Sequence, residues 1–448
     1  MTSNGTVGRA ADTLHHVATR KAMLHLLPVI CAVYFMAYID RTNVALAKTA
    51  LNADVGISAA AFGLGAGIFF ISYALLEVPS NLIMYRVGAR KWVTRIAVTW
   101  GILSSLMMFV QGEMSFYVMR FLLGAAEAGL FPALMYLVTV WFAQQHRATV
   151  IGLIYLAPTT ALIIGGPMGG ALMELNSAFG LRGWQWMFLI EGFITVLVGL
   201  VVWFRLYDKP SDAPFLTPEE AQSLTARAVG AQQESLEHLR ATAKKAFGRP
   251  FILVVAFIYF LNQVVNVGIV FNIPSIVESL DVSSPLLIGI VSGSAGIGAT
   301  IGVILVPRVF SRYRRHEAAA VGVLAAATVL TTVAYLASSG AVLRIVLIAV
   351  SMIFVFGTLP LFWSIATARM SGLVAAAGLA FINTVGLVGG FVGPYLFGLA
   401  ESATGDPAAG LYIAIVASLA IVLLAPLLHH AIRREDRTAG APTAHQEV

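Results

Sequence analysis

Charged residues are scarce in this sequence. Asp, Glu, Lys and Arg make up only 11% of its 448 residues, whereas hydrophobic residues make up 58%. A typical soluble domain has about 25% charged residues. The mean hydropathy of +0.85 points the same way. This composition excludes a water-soluble globular protein and indicates a chain that lies within a lipid bilayer.

The residue patterns of catalysis and cofactor binding are also missing. Cys31 is the one cysteine, so the chain can form neither an intrachain disulfide nor a cysteine metal cluster. No Gly-Lys dipeptide occurs, which excludes the phosphate-binding loop of ATP-driven transporters. The 9 histidines show no metal-ligand spacing inside apolar segments. We therefore predict that the protein is not an enzyme and holds no cofactor and no metal.

Long apolar runs are abundant instead. A helix of about 20 apolar residues crosses the hydrocarbon core of a bilayer. The short alternating segments typical of transmembrane β-strands do not occur. We predict an all-α membrane protein with twelve transmembrane helices, at about residues 24–47, 60–83, 92–111, 115–141, 149–173, 185–206, 251–274, 285–306, 317–338, 342–366, 372–396 and 409–431.

Lys and Arg are distributed unevenly among the connecting segments. With the N-terminus placed in the cytoplasm, 23 of the 28 fall in inner segments, and the outer segments hold Lys48, Arg182 and Arg344. Basic residues are enriched on the cytoplasmic side of membranes. The sequence therefore predicts an inner (plasma) membrane protein with both termini cytoplasmic. Its net charge of +6 reflects this bias and does not indicate nucleic-acid binding.

One long polar segment, 207–250, divides the apolar runs into six and six. A weak repeat accompanies this division, because "GPMGGALME" begins at Gly166 and "GPYLFGLAE" begins at Gly393. We predict two pseudo-symmetric six-helix bundles, 1–206 and 251–436, joined by a cytoplasmic loop and followed by a cytoplasmic tail, 437–448. Transporters built from such repeats bind substrate near the middle of the membrane, at the interface between the repeats.

Four ionisable residues interrupt the apolar runs of the first half. Asp40 and Arg41 are adjacent in "FMAYIDRTNVALA". Arg120 and Glu127 are seven residues apart, which places them on one helix face, about 10 Å apart along the axis. Each charge costs roughly 2.5–3.5 kcal/mol at the bilayer centre, so such residues mark ion or substrate paths by default. Structural ion pairs are the alternative interpretation.

The charges of these four residues suggest a coupling mechanism. With both acids ionised, the four side chains sum to zero and attract an anion weakly. Protonation of both acids leaves two positive charges. A carboxylate can then bind an arginine through two parallel hydrogen bonds. Proton binding and anion binding favour each other in this arrangement, which is the coupling that a symporter needs.

Four stretches resemble one family of transporters. They are "YIDRTNVALA", "EVPSNLIMYRVGARKWVTRIAVTWG", "GWQWMFLIEG" and "FINTVGLVGGFVGPYLFG". Each is similar to a segment of the anion:cation symporters of the major facilitator superfamily, which import organic carboxylates such as tartrate, phthalate and sugar acids. The likeness extends over almost the whole chain. It implies the major facilitator fold and an organic-anion substrate, without singling out one compound.

The resemblance also implies roles for individual residues. The family's proton-binding acids fall on Asp40 and Glu127, and its substrate-contacting arginines fall on Arg41 and Arg120. Its other substrate-contacting positions fall on Tyr38, Tyr73, Trp363 and Asn383.

Several further polar residues are candidates because of their positions. Asn262 and Asn266 lie one turn apart in the seventh run, where they can bind substrate or hydrogen-bond to another helix. Arg86 and Arg90 flank the inner junction between the second and third runs. We predict a gating role for them, although the positive-inside bias alone also places them there. Glu191 lies nearer the end of its run, and we interpret it as structural.

These patterns predict a secondary active transporter that imports a small organic carboxylate by proton symport through alternating access. Its expected partners are the organic anion, protons and the lipid bilayer, and we expect a monomer. The alternative is a proton-coupled efflux antiporter of the same fold. Such antiporters carry Gly-Pro-x-x-Gly-Gly in the fifth helix, and "GPMGG" is one residue shorter. The buried titratable cluster disfavours a channel.

Overall fold

The computed structural model describes residues 3–228, 249–310, 316–370 and 372–440 of the chain. The regular secondary structure in these ranges is helical, with no strand. Twelve of the described segments are long and apolar enough to cross a membrane. The prediction of an all-α protein with twelve transmembrane helices is therefore confirmed.

The structure describes fifteen α-helices in the ranges given above. They are α1 (Ser3–Leu46), α2 (Lys48–Val55), α3 (Ala59–Val87), α4 (Ala89–Leu106), α5 (Glu113–Glu127), α6 (Leu130–Trp141), α7 (Gln144–Met173), α8 (Gly183–Arg205), α9 (Pro218–Arg227), α10 (Pro250–Glu278), α11 (Pro285–Phe310), α12 (Glu317–Ala337), α13 (Ala341–Ala368), α14 (Gly372–Thr404) and α15 (Gly410–Gly440). Two of these, α5 and α6, make up the fourth span, whereas α2 and α9 are short helices outside the spans.

Glycines end two of these helices where the chain must turn. Gly56 follows α2 with a φ of +73°, and its N–H bonds to the carbonyl of Asn52 at 3.1 Å. Gly88 separates α3 from α4 with a φ of +97°. A left-handed residue after the last turn satisfies the final carbonyls of a helix, and glycine adopts this conformation without steric cost.

The chain forms two compact units. The first unit comprises Met1–Val44 and Ser72–Gln233, and the second comprises Ala45–Ile71 and Glu234–Val448. The second unit therefore includes α2 and the first part of α3 besides the helices that follow residue 249. The division into bundles at 1–206 and 251–436 stays a prediction.

Small residues allow close helix contacts inside each unit. In the first unit, a Cβ atom added to Gly192 of α8 would lie 2.5 Å from the carbonyl oxygen of Gly101 on α4. In the second unit, a Cβ atom on Gly298 of α11 would lie 1.9 Å from the carbonyl oxygen of Ala349 on α13. The hydrophobic effect does not drive helix association within lipid, so close backbone packing of this kind stabilises the helix contacts instead.

Part of the central polar segment packs against α1. Thr217 and Glu220 form a capping box at the start of α9. Lys21 of α1 donates to both carboxylate oxygens of Glu220, at 2.8 and 2.9 Å. The ring of Phe215 stacks on His25, with the ring centres 4.1 Å apart. Most of the remainder of the predicted loop, 229–248, and the end of the predicted tail, 441–448, lie outside the described residues.

Candidate functional site

The four ionisable residues predicted from the sequence lie together in the first unit. Asp40 and Arg41 are on α1, and Arg120 and Glu127 are on α5. The side chains of Asp40, Arg120 and Glu127 are buried, whereas Arg41 stays partly exposed. Arg120 interacts electrostatically with both acids. Arg41 is therefore the member of this charged cluster that an incoming ligand can reach first.

Arg41 and Glu127 form an ion pair between α1 and α5. Arg41 Nη2 donates to Glu127 Oε1, and Glu127 is only 1% exposed. The Arg41 guanidinium also lies over the rings of Tyr38 and Tyr73, 4.9 and 5.8 Å from their centres. These cation–π contacts stabilise the guanidinium without using up its N–H donors. The structure thus brings four of the predicted site residues into direct contact.

Asp40 is held from a different helix. Ser104 Oγ of α4 donates to Asp40 Oδ1. Within the described part of the chain, Asp40 Oδ2 and Glu127 Oε2 are buried without a hydrogen-bond partner. A buried carboxylate oxygen without a partner costs free energy unless the acid takes up a proton or a donor reaches it. Each acid therefore presents one oxygen at which a proton can bind.

The fourth span breaks directly after Glu127. Ala128 leaves the helical conformation, and Gly129 has a φ of +88° before α6 begins at Leu130. Ser80 Oγ of α3 donates to the freed carbonyl of Ala128 at 2.6 Å. A Cβ atom on Gly129 would lie 2.3 Å from this hydroxyl oxygen, so glycine is required there. Discontinuous helices of this kind form the binding sites of many transporters. We did not predict this break, for which Gly129 was the only signal in the sequence.

Three aromatic side chains extend from the charged cluster, and none of them was predicted from the sequence. Tyr34 packs on Tyr38, with the ring centres 5.2 Å apart, and on Phe131 at 5.6 Å. Phe131 in turn contacts Tyr155, at 5.8 Å. The spacing of four residues between Tyr34 and Tyr38 places them on one helix face and could have identified Tyr34. Tyr155 carried no such signal.

The predicted residues of the second half lie in the second unit. Asn262 and Asn266 are buried one turn apart on α10, as their spacing predicted. The ring of Trp363 on α13 contacts Tyr259 of α10, with the ring centres 5.2 Å apart. Asn383 is half-buried on α14. The substrate-binding role of these residues stays a prediction.

The two predicted gating arginines differ in their surroundings. Arg86 is exposed at the end of α3. Arg90 Nε donates to the carbonyl of Trp203 at 2.7 Å, and its backbone N–H donates to Asp208 at 2.8 Å. Arg90 therefore joins the start of α4 to the end of α8 and the segment after it. The gating role of both residues stays a prediction.

Lys48, which the sequence assigned to an outer segment, is buried in the second unit. Its Nζ donates to Asn272 Oδ1 at 2.7 Å and forms an ion pair with Glu401. Burial lowers the pKa of Lys48, and the negative charge of Glu401 opposes this effect. The sequence did not indicate this burial, which arises because α2 packs the side that bears Lys48 and Leu51 into the unit.

Glu191 is buried within α8. It lies in the third turn of the helix and is only 2% exposed. Its Oε1 accepts a hydrogen bond from Asn43 of α1. Neither residue was among the predicted site residues, although Asn43 lies three positions after Asp40 in the quoted stretch. The interpretation of Glu191 as a structural residue stays a prediction.

A metal site is not apparent in the described residues. They contain no group of three or more His, Cys, Asp and Glu side chains arranged to hold a metal ion.

Comparisons with known proteins point to one superfamily. Residues 30–394 match the sequence profile of the Major Facilitator Superfamily. A protein of Agrobacterium vitis named "Putative tartrate transporter" is 38% identical over 440 residues, covering 96% of each chain. A "Quinolone resistance transporter" of Acinetobacter baumannii is 36% identical, covering 93% of this chain and 96% of its own.

A solved structure agrees with this fold. The inward-facing, unoccupied structure of a bacterial homologue of the human lysosomal transporter Spinster superposes with a TM-score of 0.71. It covers 92% of this chain and 96% of its own, at 18% identity.

Proposed function

The chain belongs to the Major Facilitator Superfamily, and on that premise we propose that this transporter imports a small organic carboxylate together with protons. The observation that carries the proposal is the ion pair between the partly exposed Arg41 and the buried Glu127. One of its partners can bind a carboxylate and the other can bind a proton. The protein is a transporter and not an enzyme.

The coupling follows from competition for Arg41. While Glu127 is ionised, its carboxylate accepts a hydrogen bond from Nη2 of Arg41, so this donor is not available to a substrate. Protonation of Glu127 removes the negative charge and weakens this hydrogen bond, because charge-assisted bonds are about twice as strong as neutral ones. The freed N–H donors then bind the substrate carboxylate in place of Glu127. Substrate and proton therefore bind together and leave together, in an alternating-access cycle.

Asp40 and Arg120 are a second acid and a second arginine to which the same argument applies. Both are buried, and Arg120 interacts electrostatically with Asp40. Protonation of Asp40 makes the site more positive and strengthens its attraction for an anion. We propose that Asp40 is the second proton-coupling acid and that Arg120 is the second arginine of the anion site.

We also propose roles for the remaining predicted residues. We propose that Tyr38 and Tyr73 hold the arginine in position, on the strength of their cation–π contacts with Arg41. We assign substrate binding also to Asn262, Asn266, Trp363 and Asn383. The asymmetry of Lys and Arg supports an inner-membrane location with cytoplasmic termini. We expect the protein to act as a monomer.

Proton-coupled efflux is the second candidate function. The relative from Acinetobacter baumannii is named for quinolone resistance, and it covers nearly the whole chain. The same buried acids can serve an antiporter if protons and substrate compete for the site. The names of the relatives therefore do not decide the direction of coupling for this chain.

Counterflow in proteoliposomes tests both candidates. Vesicles containing the purified protein are loaded with one compound of a panel that includes tartrate, sugar acids, aromatic acids, a fluoroquinolone and a cationic drug without a carboxyl group. Uptake of the matching labelled compound identifies the substrate. A pH gradient, acidic outside, is expected to drive accumulation of a carboxylate. Expulsion of substrate under the same gradient would support efflux instead, and uptake of cations alone would rule out an anion transporter.

A further inference from the structure

The carboxyl group of Glu191 has a neutral partner and no cation. Asn43 Nδ2 of α1 donates to Glu191 Oε1 of α8, and both residues are buried, with exposures of 0% and 2%. Among the described residues, Glu191 takes part in none of the ion pairs. The charged group whose field reaches it is Asp40, which is also acidic. An ionised Glu191 would therefore be a buried anion beside a second anion, which is strongly unfavourable.

The amide of Asn43 has the complementary feature. Asn43 Oδ1 is buried and accepts no hydrogen bond within the described part of the chain. An ionised carboxylate cannot donate to it, whereas a protonated carboxyl group has one O–H donor. With Glu191 protonated, the acid and the amide form a closed pair in which each group donates once and accepts once. A single proton on Glu191 therefore neutralises the buried charge and also supplies the donor that Asn43 Oδ1 lacks.

This pair lies beside Asp40. Asp40 and Asn43 are three residues apart, so they share one face of α1. Asp40 accepts from Ser104 of α4, and Asn43 donates to Glu191 of α8. The two partner helices are themselves in backbone contact, since a Cβ atom on Gly192 would lie 2.4 Å from the backbone nitrogen of Ser105. This segment of α1 is thus held at two points by one rigid pair of helices.

We propose that Glu191 is a permanently protonated acid that fixes α1 to α8 through Asn43 and so positions Asp40 for proton transfer. Glu191 is a positioning residue and does not carry a transported proton. The positioning role rests on the proposed proton-coupled function, whereas the protonation state of Glu191 does not.

Replacement by glutamine separates this role from that of a proton carrier. In Glu191→Gln the amide N–H₂ can donate to Asn43 Oδ1 and the carbonyl can accept from Asn43 Nδ2, so the closed pair is retained. We expect proton-driven accumulation and its pH profile to stay within about twofold of wild type, since no titrating group is lost. The matched variant Glu127→Gln replaces another buried acid by the same amide and is expected to lose accumulation.

Two further variants test positioning directly. Glu191→Leu and Asn43→Leu each leave one polar partner unpaired and release α1 from α8. We expect transport per reconstituted molecule to fall by about tenfold or more and its pH profile to shift, because Asp40 moves from its donor. A loss of stability alone would lower the amount of folded protein without shifting the profile. Retention of the wild-type profile in both variants would contradict the positioning role.

Infrared spectroscopy reports the protonation state without transport. The difference spectrum between wild type and Glu191→Gln is expected to contain the carbonyl band of a buried carboxylic acid across the neutral and mildly alkaline pH range, in which a glutamate in water is ionised. Disappearance of this band within that range, or loss of accumulation in Glu191→Gln, would overturn the proposal. The infrared result decides the protonation state even if no carboxylate is transported.

Discussion

Arg41 of α1 donates a hydrogen bond to Glu127 of α5, and Glu127 is the last residue before the fourth span breaks. The residues that we propose as a proton site and an anion site are therefore in direct contact, at a point where the backbone itself departs from the helix. This contact explains why an Asp–Arg pair interrupts an otherwise apolar helix. Glu127 compensates the charge of Arg41 in this structure, and on our proposal the substrate carboxylate does so after Glu127 is protonated.

Glu127→Gln should uncouple transport from the proton gradient. Glutamine cannot release a proton and binds Arg41 only through a neutral oxygen, so substrate still binds but cannot be concentrated. We expect accumulation under a pH gradient, acidic outside, to fall about tenfold or more, to the equilibrated level. Accumulation and counterflow are measured in the same vesicles. Glu113→Gln, an exposed position on the same helix, serves as the control and should behave as wild type. Wild-type accumulation by the Glu127 variant would contradict the proposed proton site.

Arg41→Lys should weaken substrate binding although the charge is kept. Lysine offers a point charge in place of a flat fork of two donors, so one hydrogen bond to the substrate carboxylate is lost. A hydrogen bond to a charged group contributes about 1.5–3 kcal/mol, which corresponds to an affinity loss of roughly tenfold to a hundredfold. Substrate binding to the purified variant measures this loss. Arg344→Lys, which lies in the other unit, is the matched control. Unchanged affinity in Arg41→Lys would make Arg41 a structural partner of Glu127.

The twelve spans could be predicted because the length of an apolar run is a local property of the sequence. A run of about 20 residues is long enough to cross the hydrocarbon core as a helix. The pairing of the charged residues could not be predicted. Spacing placed Arg120 and Glu127 on one face, but the direct ion pair of Glu127 is with Arg41, 86 residues away. Which helices pack together depends on many weak contacts spread over the chain, and no single motif encodes them.

The same limit applies to Lys48 and Glu191, because their burial and their partners could not be predicted from their positions along the apolar runs. Lys48 is buried because a short helix carries it toward Asn272 and Glu401. Glu191 is buried because Asn43, 148 residues away, supplies a neutral partner. A polar residue near the end of an apolar run can find its hydrogen-bond partners in water or inside the fold. The sequence alone is compatible with both.

Lys48 and Glu401 should be strongly coupled in stability. Both are largely buried in the second unit, so removal of one leaves the other without its charged partner. Glu401→Gln or Lys48→Met alone is expected to destabilise the protein by about 3–5 kcal/mol, whereas the double variant should recover most of this loss. Thermal unfolding of the four proteins in detergent completes a double-mutant cycle. Additive effects of the two substitutions would show that the pair contributes little.

Acid should loosen the contact between α9 and α1. The hydrogen bonds from Lys21 lower the pKa of Glu220 below its ordinary value. A lowered pKa in the folded state means that the stabilisation is complete above the unfolded pKa of about 4.3 and is lost as the pH falls through the folded value. Protease cleavage within 207–228 is expected to accelerate below about pH 4. Glu220→Gln should be cleaved at this faster rate at every pH. If the cleavage rate of the variant depends on pH as strongly as that of the wild type, titratable groups other than Glu220 cause the acid effect.

The class of substrate provides the last prediction, and it depends on the two arginines. Arg41 and Arg120 are the basic residues of the cluster, and Arg41 is the more accessible. A carboxylate can replace Glu127 on Arg41, because both offer two oxygens to the same donors. A methyl ester lacks the charge and can accept only neutral hydrogen bonds, so its affinity should be lower by roughly tenfold to a hundredfold. Binding of matched acid, ester and amide to the wild type measures this difference directly. In Arg41→Gln the acid should lose its advantage over the ester, since the charged donor is gone. An ester that binds the wild type as tightly as its acid would show that Arg41 does not recognise a carboxylate, and the proposal of organic-anion transport would fail with it.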